Sequence, residues 1–285
     1  MLVHTRRHDG VRFLDEEGKV LPKSPQTFNA FAVFSGGTVI GTLGGLIGLG
    51  GAEFRLPLLI GLFGFGALEA IILNKAMSLV VVATALPFRT AVVPFSTVLA
   101  QWSIVVTLLS GSVVGAWGGA GWATHMQSQR LYKVLAVLLV GIAGVLLFGH
   151  GAQPPHQLLE GWVLTLAGVV AGVGIGIVAA LLGVAGGELL IPTIVLLFGV
   201  DLKLDGSLSL AVSLPTMVTG FTRYSRDQSF QVIRFQWRFI TIMAAGSMVG
   251  TFLGGKLLRV VPTPLLLPLL AVILLASAVK VWRHA

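Results

Sequence analysis

The chain of 285 residues contains no cysteine, which excludes disulfides, thiol nucleophiles and thiolate metal sites. Charge is scarce: Asp, Glu, Lys and Arg supply 11% of the residues, too few to coat a soluble domain of this size. No P-loop is present, so ATP is not the energy source within this chain. The six histidines (His4, His8, His125, His150, His156 and His284) fall in tails or expected loops without metal-ligand spacing. No metal and no cofactor is therefore expected.

Apolar residues fill the gap, at 55% of the chain and a mean hydropathy of +0.93. Uncharged runs such as residues 28–49 and 135–147 call for a bundle of membrane helices, so the expected class is an all-α integral membrane protein. The 37 glycines suit close helix packing and broken helices. The net charge of +8 sits in the N-terminal arm and in loops, where anionic lipid and the positive-inside rule account for it. No nucleic-acid partner is inferred. Residues 1–27 carry both signs, too many charges for a signal-peptide core, and are expected to form a cytoplasmic tail.

The dominant pattern is a duplication with a fixed offset of 135 residues. Residues 48–64 read GLGGAEFRLPLLIGLFG and residues 183–199 read GVAGGELLIPTIVLLFG. Glu53 falls on Glu188 and Pro57 on Pro192; further on, Ser78 falls on Ser213, Gln101-Trp102 on Gln236-Trp237, and Gly111, Ser112 and Gly115 on Gly246, Ser247 and Gly250. Repeated membrane halves with a glycine-rich break are the mark of secondary transporters whose site lies between the repeats.

Each half divides into five apolar segments, near 28–48, 56–65, 70–88, 98–123 and 131–149, and near 162–183, 191–199, 207–222, 235–257 and 264–282. The second segment of each half is too short to span alone, since ten helical residues reach about 15 Å against about 30 Å of hydrocarbon. The first two segments thus make a hairpin with an even number of crossings. Each half then crosses an odd number of times, which makes the two halves inverted repeats. The expected organisation is a tail (1–27), a first repeat (28–149), an external linker (150–161) without Lys or Arg, and a second repeat (162–285) with a cytoplasmic C-terminus.

The glycines at 48–51 and 183–187 predict helix breaks over 48–55 and 183–190, with a short helix starting near Pro57 and near Pro192. Paired helix N-termini offer free N–H groups and positive partial charge, an anion site. The candidate binding residues are Gly50, Gly51, Ala52, Gly186 and Gly187, with Ser78 and Ser213 as hydroxyl donors. Tight glycine packing is the structural alternative for the break, and bonding to their own helix backbone is the alternative for the serines.

Glu53 and Glu188 are intramembrane acids and coupling candidates, protonated when substrate is bound. The competing reading makes them interfacial, with Arg55 pairing Glu53. Lys75 either contacts substrate or snorkels to an interface. The tryptophans that open the fourth segments read as interface anchors, and the Gly/Ser faces there as helix packing.

These motifs resemble the TauE/SafE (sulfite exporter, TSUP) family, whose members carry two GxGGG-x₄-P-like motifs. Gly50, Gly51, Glu53 and Pro57 match the first copy, and Gly186, Gly187, Glu188 and Pro192 the second; Ala52 and Ala185 each replace a glycine. The resemblance implies export or exchange of sulfite, sulfonates or related sulfur anions across the bacterial cytoplasmic membrane. The expected function is a non-enzymatic secondary transporter of a small sulfur-containing anion, with a proton as the coupling ion. An anion channel is the nearest rival. A membrane-embedded enzyme is a weaker one, because no His or Cys partner lies within the apolar segments.

Overall fold

The computed structural model describes residues 28–47, 51–90, 99–148, 160–200, 202–257 and 263–284. The expected tail, Gly50 and most of the linker lie outside the described residues. Among the described residues there are eleven α-helices, one 3₁₀ turn and no strand. In the first half these are α1 (Ala30–Ile47), α2 (Ala52–Gly61), α3 (Ala67–Thr90), α4 (Trp102–His125) and α5 (Ser128–Phe148). In the second half they are α6 (Gly161–Leu182), α7 (Gly187–Phe198), α8 (Leu202–Tyr224), α9 (Gln231–Phe235), α10 (Trp237–Leu257) and α11 (Thr263–Trp282).

All ten expected segments are helical, and α2, α3, α4 and α5 each begin 135 residues before α7, α8, α10 and α11. The stretch between Arg223 and Arg238, expected as a loop, carries the 3₁₀ turn Gln228–Phe230 and the short α9. Asp227 starts that turn by accepting from the Ser229 N–H at 2.8 Å. Four helices offer apolar stretches long enough to cross a membrane: 67–84, 102–125, 128–145 and 161–182. Trp102, Trp122, Trp162, Trp237 and Trp282 stand exposed at helix ends, where interface anchors belong.

The halves are held together by exchange. α1 packs on α10, and α4 packs on α6. Both contacts are parallel: Gly37, Gly41 and Gly45 face Met243, Ser247 and Thr251 in turn, and Gly111, Gly115 and Gly119 face Val169, Val173 and Ile177. A Cβ on Gly115 would collide with the Val173 carbonyl oxygen, and one on Gly250 with that of Thr38. The small residues let backbones touch, as the packing reading of these faces requires.

One end of the molecule gathers many termini. Phe28, before α1, stacks on Phe63 at 5.4 Å and on Phe239 of α10 at 5.0 Å. Tyr132 of α5 lies beside Ala67 of α3 and 6.1 Å from His284, just past α11. The Tyr224 hydroxyl, at the close of α8, donates to the Ala180 carbonyl near the end of α6 at 3.0 Å. At this end α1, α3, α5 and α10 start, while α4, α6, α8 and α11 finish. Each first-half helix that starts here has a second-half counterpart that finishes here, and α4, which finishes, has α10, which starts.

Candidate transport site

Each half opens with a helix, a glycine break and a short returning helix. The returning helix begins where a glycine takes a left-handed turn: Gly51 (φ 71°) precedes α2 and Gly186 (φ 82°) precedes α7. A side chain is disfavoured in that conformation, so the position selects glycine. The breaks end earlier than expected. Pro57 and Pro192 lie inside α2 and α7, at the sixth position of each, rather than in the first turn. The left-handed glycine starts the helix, so the proline is not needed for it. Lacking an N–H, each proline instead leaves the carbonyl four residues back without its helical donor. That carbonyl belongs to Glu53 in one copy and to Glu188 in the other.

Glu53 and Glu188 are the second residues of α2 and α7, and both are buried, at 0% and 4% exposure. Their carboxyl groups lie within hydrogen-bonding reach of each other. As two carboxylates neither can donate, and both Glu53 oxygens and Glu188 Oε2 then have no donor. The pair thus joins corresponding positions of the two sequence repeats, 135 residues apart in the chain. Both acids lie in the first turn of their short helices, where N–H groups lack helical partners, and neither helix has a side-chain cap. Arg55, also buried, interacts electrostatically with Glu53; its counterpart is Leu190.

α3 stitches the two breaks together. Asn74 Nδ2 donates to Ala52 O of the first half and to Leu182 O of the second, both at 2.9 Å. Lys75 Nζ donates to Ala179 O at 2.9 Å and to Val184 O at 3.3 Å. These carbonyls are the C-terminal end of α6, the negative end of its dipole, where a cation is favoured. Lys75 is fully buried inside the protein. Gly220 makes room for it: a Cβ there would lie 3.2 Å from Lys75 Cε. Two of the three ammonium donors are taken, leaving one for a ligand.

Ser78, one turn beyond Asn74 on α3, is buried with its hydroxyl unpartnered, as is Asn74 Oδ1. Buried polar atoms without partners in a row are unusual and suit a ligand or water. Ser213 is buried at the matching position of α8. The expected binding and coupling residues are therefore all buried wherever they are described. Their charges are unevenly shared: Asn74, Lys75 and Arg55 in the first half correspond to Ser209, Leu210 and Leu190 in the second. The role of Asn74 was missed from sequence, although an asparagine inside an apolar run is itself a signal.

The family model described as "Sulfite exporter TauE/SafE" matches residues 33–281. The chain belongs to the sulfite exporter TauE/SafE family. It is thus a membrane transporter family member, and the family's description points to a small anion and a bilayer setting. The chain is similar to the "Probable membrane transporter protein YunE" of Bacillus subtilis (strain 168), with 22% identity over 261 residues, covering 84% of this chain and 92% of the relative. No solved structure matches the chain. The TauE/SafE match runs from within α1 to within α11, so both glycine breaks and the buried acid pair lie inside it.

Proposed function

We propose that this TauE/SafE protein is a proton-coupled secondary transporter of a small sulfur-containing anion, sulfite or an organosulfonate, in the bacterial cytoplasmic membrane. The observation that carries the reading is the meeting of Glu53 and Glu188 at the start of two short helices from opposite halves. Acids buried in a membrane mark ion pathways, and paired helix N-termini suit an anion. The substrate sits between the breaks, on the backbone N–H groups of Gly50, Gly51, Ala52, Gly186 and Gly187. Ser78, Ser213 and the remaining Lys75 donor complete its shell, and Glu53 and Glu188 carry the coupling proton.

The two halves act as inverted repeats that rock against each other to give alternating access. The gathering of opposite helix ends at one end of the molecule supports that arrangement. That same end exposes Arg130, Lys133, Arg226, Arg234, Arg238, Lys280 and Arg283, which supports placing it in the cytoplasm.

The test is uptake of labelled sulfite into proteoliposomes, with and without a pH gradient, with taurine, sulfoacetate, thiosulfate and sulfate as competitors. Saturable uptake driven uphill by the gradient is expected. Glu53→Gln with Glu188→Gln should abolish the pH-driven component and leave equilibrium exchange. Non-saturating flux that no gradient drives uphill would identify a channel instead.

A further inference from the structure

Two carboxylates at the N-termini of two short helices occupy the place where an anionic substrate would bind. In isolation that arrangement repels the substrate. We infer that Glu53 and Glu188 form a single proton-binding dyad which serves as the site's resident anion. With one proton shared between them, the pair carries one negative charge, bonded carboxyl to carboxylate across the two halves. That charge holds the first-turn N–H groups of α2 and α7. A second proton neutralises the pair, clears those N–H groups and lets one substrate anion take the vacated charge. One proton therefore enters for each negative charge bound. This inference rests on the transporter reading and adds to it the number of protons and the reason they are required.

Arg55 is the charged group that interacts with the dyad, through Glu53. The elements packed on α2 are α1, α3 and α11; those packed on α7 are α5, α6 and α8. α1 and α6 contain no charged residue. α3 brings Glu69 in its first turn, Lys75, which is bonded to the α6 carbonyls, and Arg89 in its last turn. α5 brings Arg130 and Lys133 and α11 brings Lys280, all of them exposed. α8 brings Lys203 and Asp205 near its start and Arg223 and the buried Tyr224 in its last turn, the Tyr224 hydroxyl being bonded to the Ala180 carbonyl. Within the two short helices the other charge is Arg55. Among the described residues the buried Asp, Glu, Lys and Arg side chains are Glu53, Arg55, Lys75 and Glu188. The acids are thus the buried members of this set that can give up negative charge on protonation, and they touch each other. Interacting acids of this kind release protons in two macroscopic steps belonging to the pair. Ser78 Oγ and Asn74 Oδ1, buried and without partners, add polar atoms to the same region.

The experiment is infrared titration of the carboxylic C=O band in the full-length protein reconstituted in lipid. Above the pH range in which the exposed carboxyls protonate, wild type should gain the band in two separated steps of equal amplitude. Glu53→Gln and Glu188→Gln should each show one step, falling between those two. At a pH between the wild-type steps, saturating sulfite or methanesulfonate should raise the band from half to full amplitude. A wild-type band that grows in a single step would falsify the dyad, and each variant that folds should then lose half of it at that same midpoint. Because that readout needs only wild type, it survives misfolding of either variant. Two steps that neither anion alters, in vesicles that do take up sulfite, would overturn the resident-anion role and leave the transporter reading standing. Two steps without uptake of any sulfur anion would strike the transporter reading instead and keep the shared-proton pair.

Discussion

The carboxyl group of Glu53 meets that of Glu188, the residue 135 positions further along the chain and the counterpart of Glu53 in the second half. If the two are halves of one proton site, removing either disables the whole. Glu53→Gln and Glu188→Gln should each reduce pH-driven uptake to a similar extent, and the double variant should be no worse than the more severe single one. Initial uptake rates from a double-mutant cycle measure this, since coupled groups are non-additive. Multiplicative losses would mean two independent acids.

Asn74 ties the first-half break to the second through two buried hydrogen bonds. Each such bond contributes about 0.5–1.5 kcal/mol, about 1–3 kcal/mol for the two, and a buried carbonyl left unsatisfied adds about 1 kcal/mol more. Asn74→Ala should therefore destabilise the protein by about 2–4 kcal/mol. Thermal unfolding of purified protein in one detergent would show it, and a variant as stable as wild type would remove Asn74 from the tie.

Lys75 holds the end of α6 by two carbonyls in a space bounded by Gly220. Lys75→Met should lower sulfite uptake at least about tenfold, and Lys75→Arg should not restore it, because the broader guanidinium cannot enter the same slot. Rescue by arginine would show that charge alone matters there.

Close helix contact makes the glycines of α4 unequal. Gly115→Ala places a methyl against the Val173 carbonyl and should cost about 3 kcal/mol, the upper end for overpacking. Gly118, one turn away in sequence but facing open space, should tolerate alanine and gain up to about 1 kcal/mol of helix propensity. Comparing the melting of the two variants separates packing from propensity.

The absence of cysteine gives a clean background for mapping orientation. Ser128 and Glu160 are both exposed; Ser128 opens α5 at the end where the helix termini gather, and Glu160 precedes α6, which finishes at that end. On intact cells an impermeant maleimide should label Glu160→Cys and reach Ser128→Cys only after permeabilisation. The reverse pattern would turn the molecule over in the membrane.

The sequence by itself determined the elements and the duplication. Apolar run length sets helix length in a bilayer, and a gap-free offset carries five segments into five, which is why α2 to α5 and their counterparts start in register. It also determined that the Gly/Ser faces of α4 and α10 pack, because only small residues admit backbone contact. What it left open were the depth and partners of the polar groups. Glu53 reads equally well as interfacial or internal, Lys75 as snorkelling or contacting substrate, and each proline as lying near the start of its helix. Those alternatives differ only in what lies across space. α1 and α4 each pack on a helix of the other half, and α3 lies across both breaks. Tertiary structure alone decided that the two acids meet, that Asn74 joins the halves and that Lys75 caps the far one, because burial and pairing of charge follow from long-range packing and leave no local pattern in the chain.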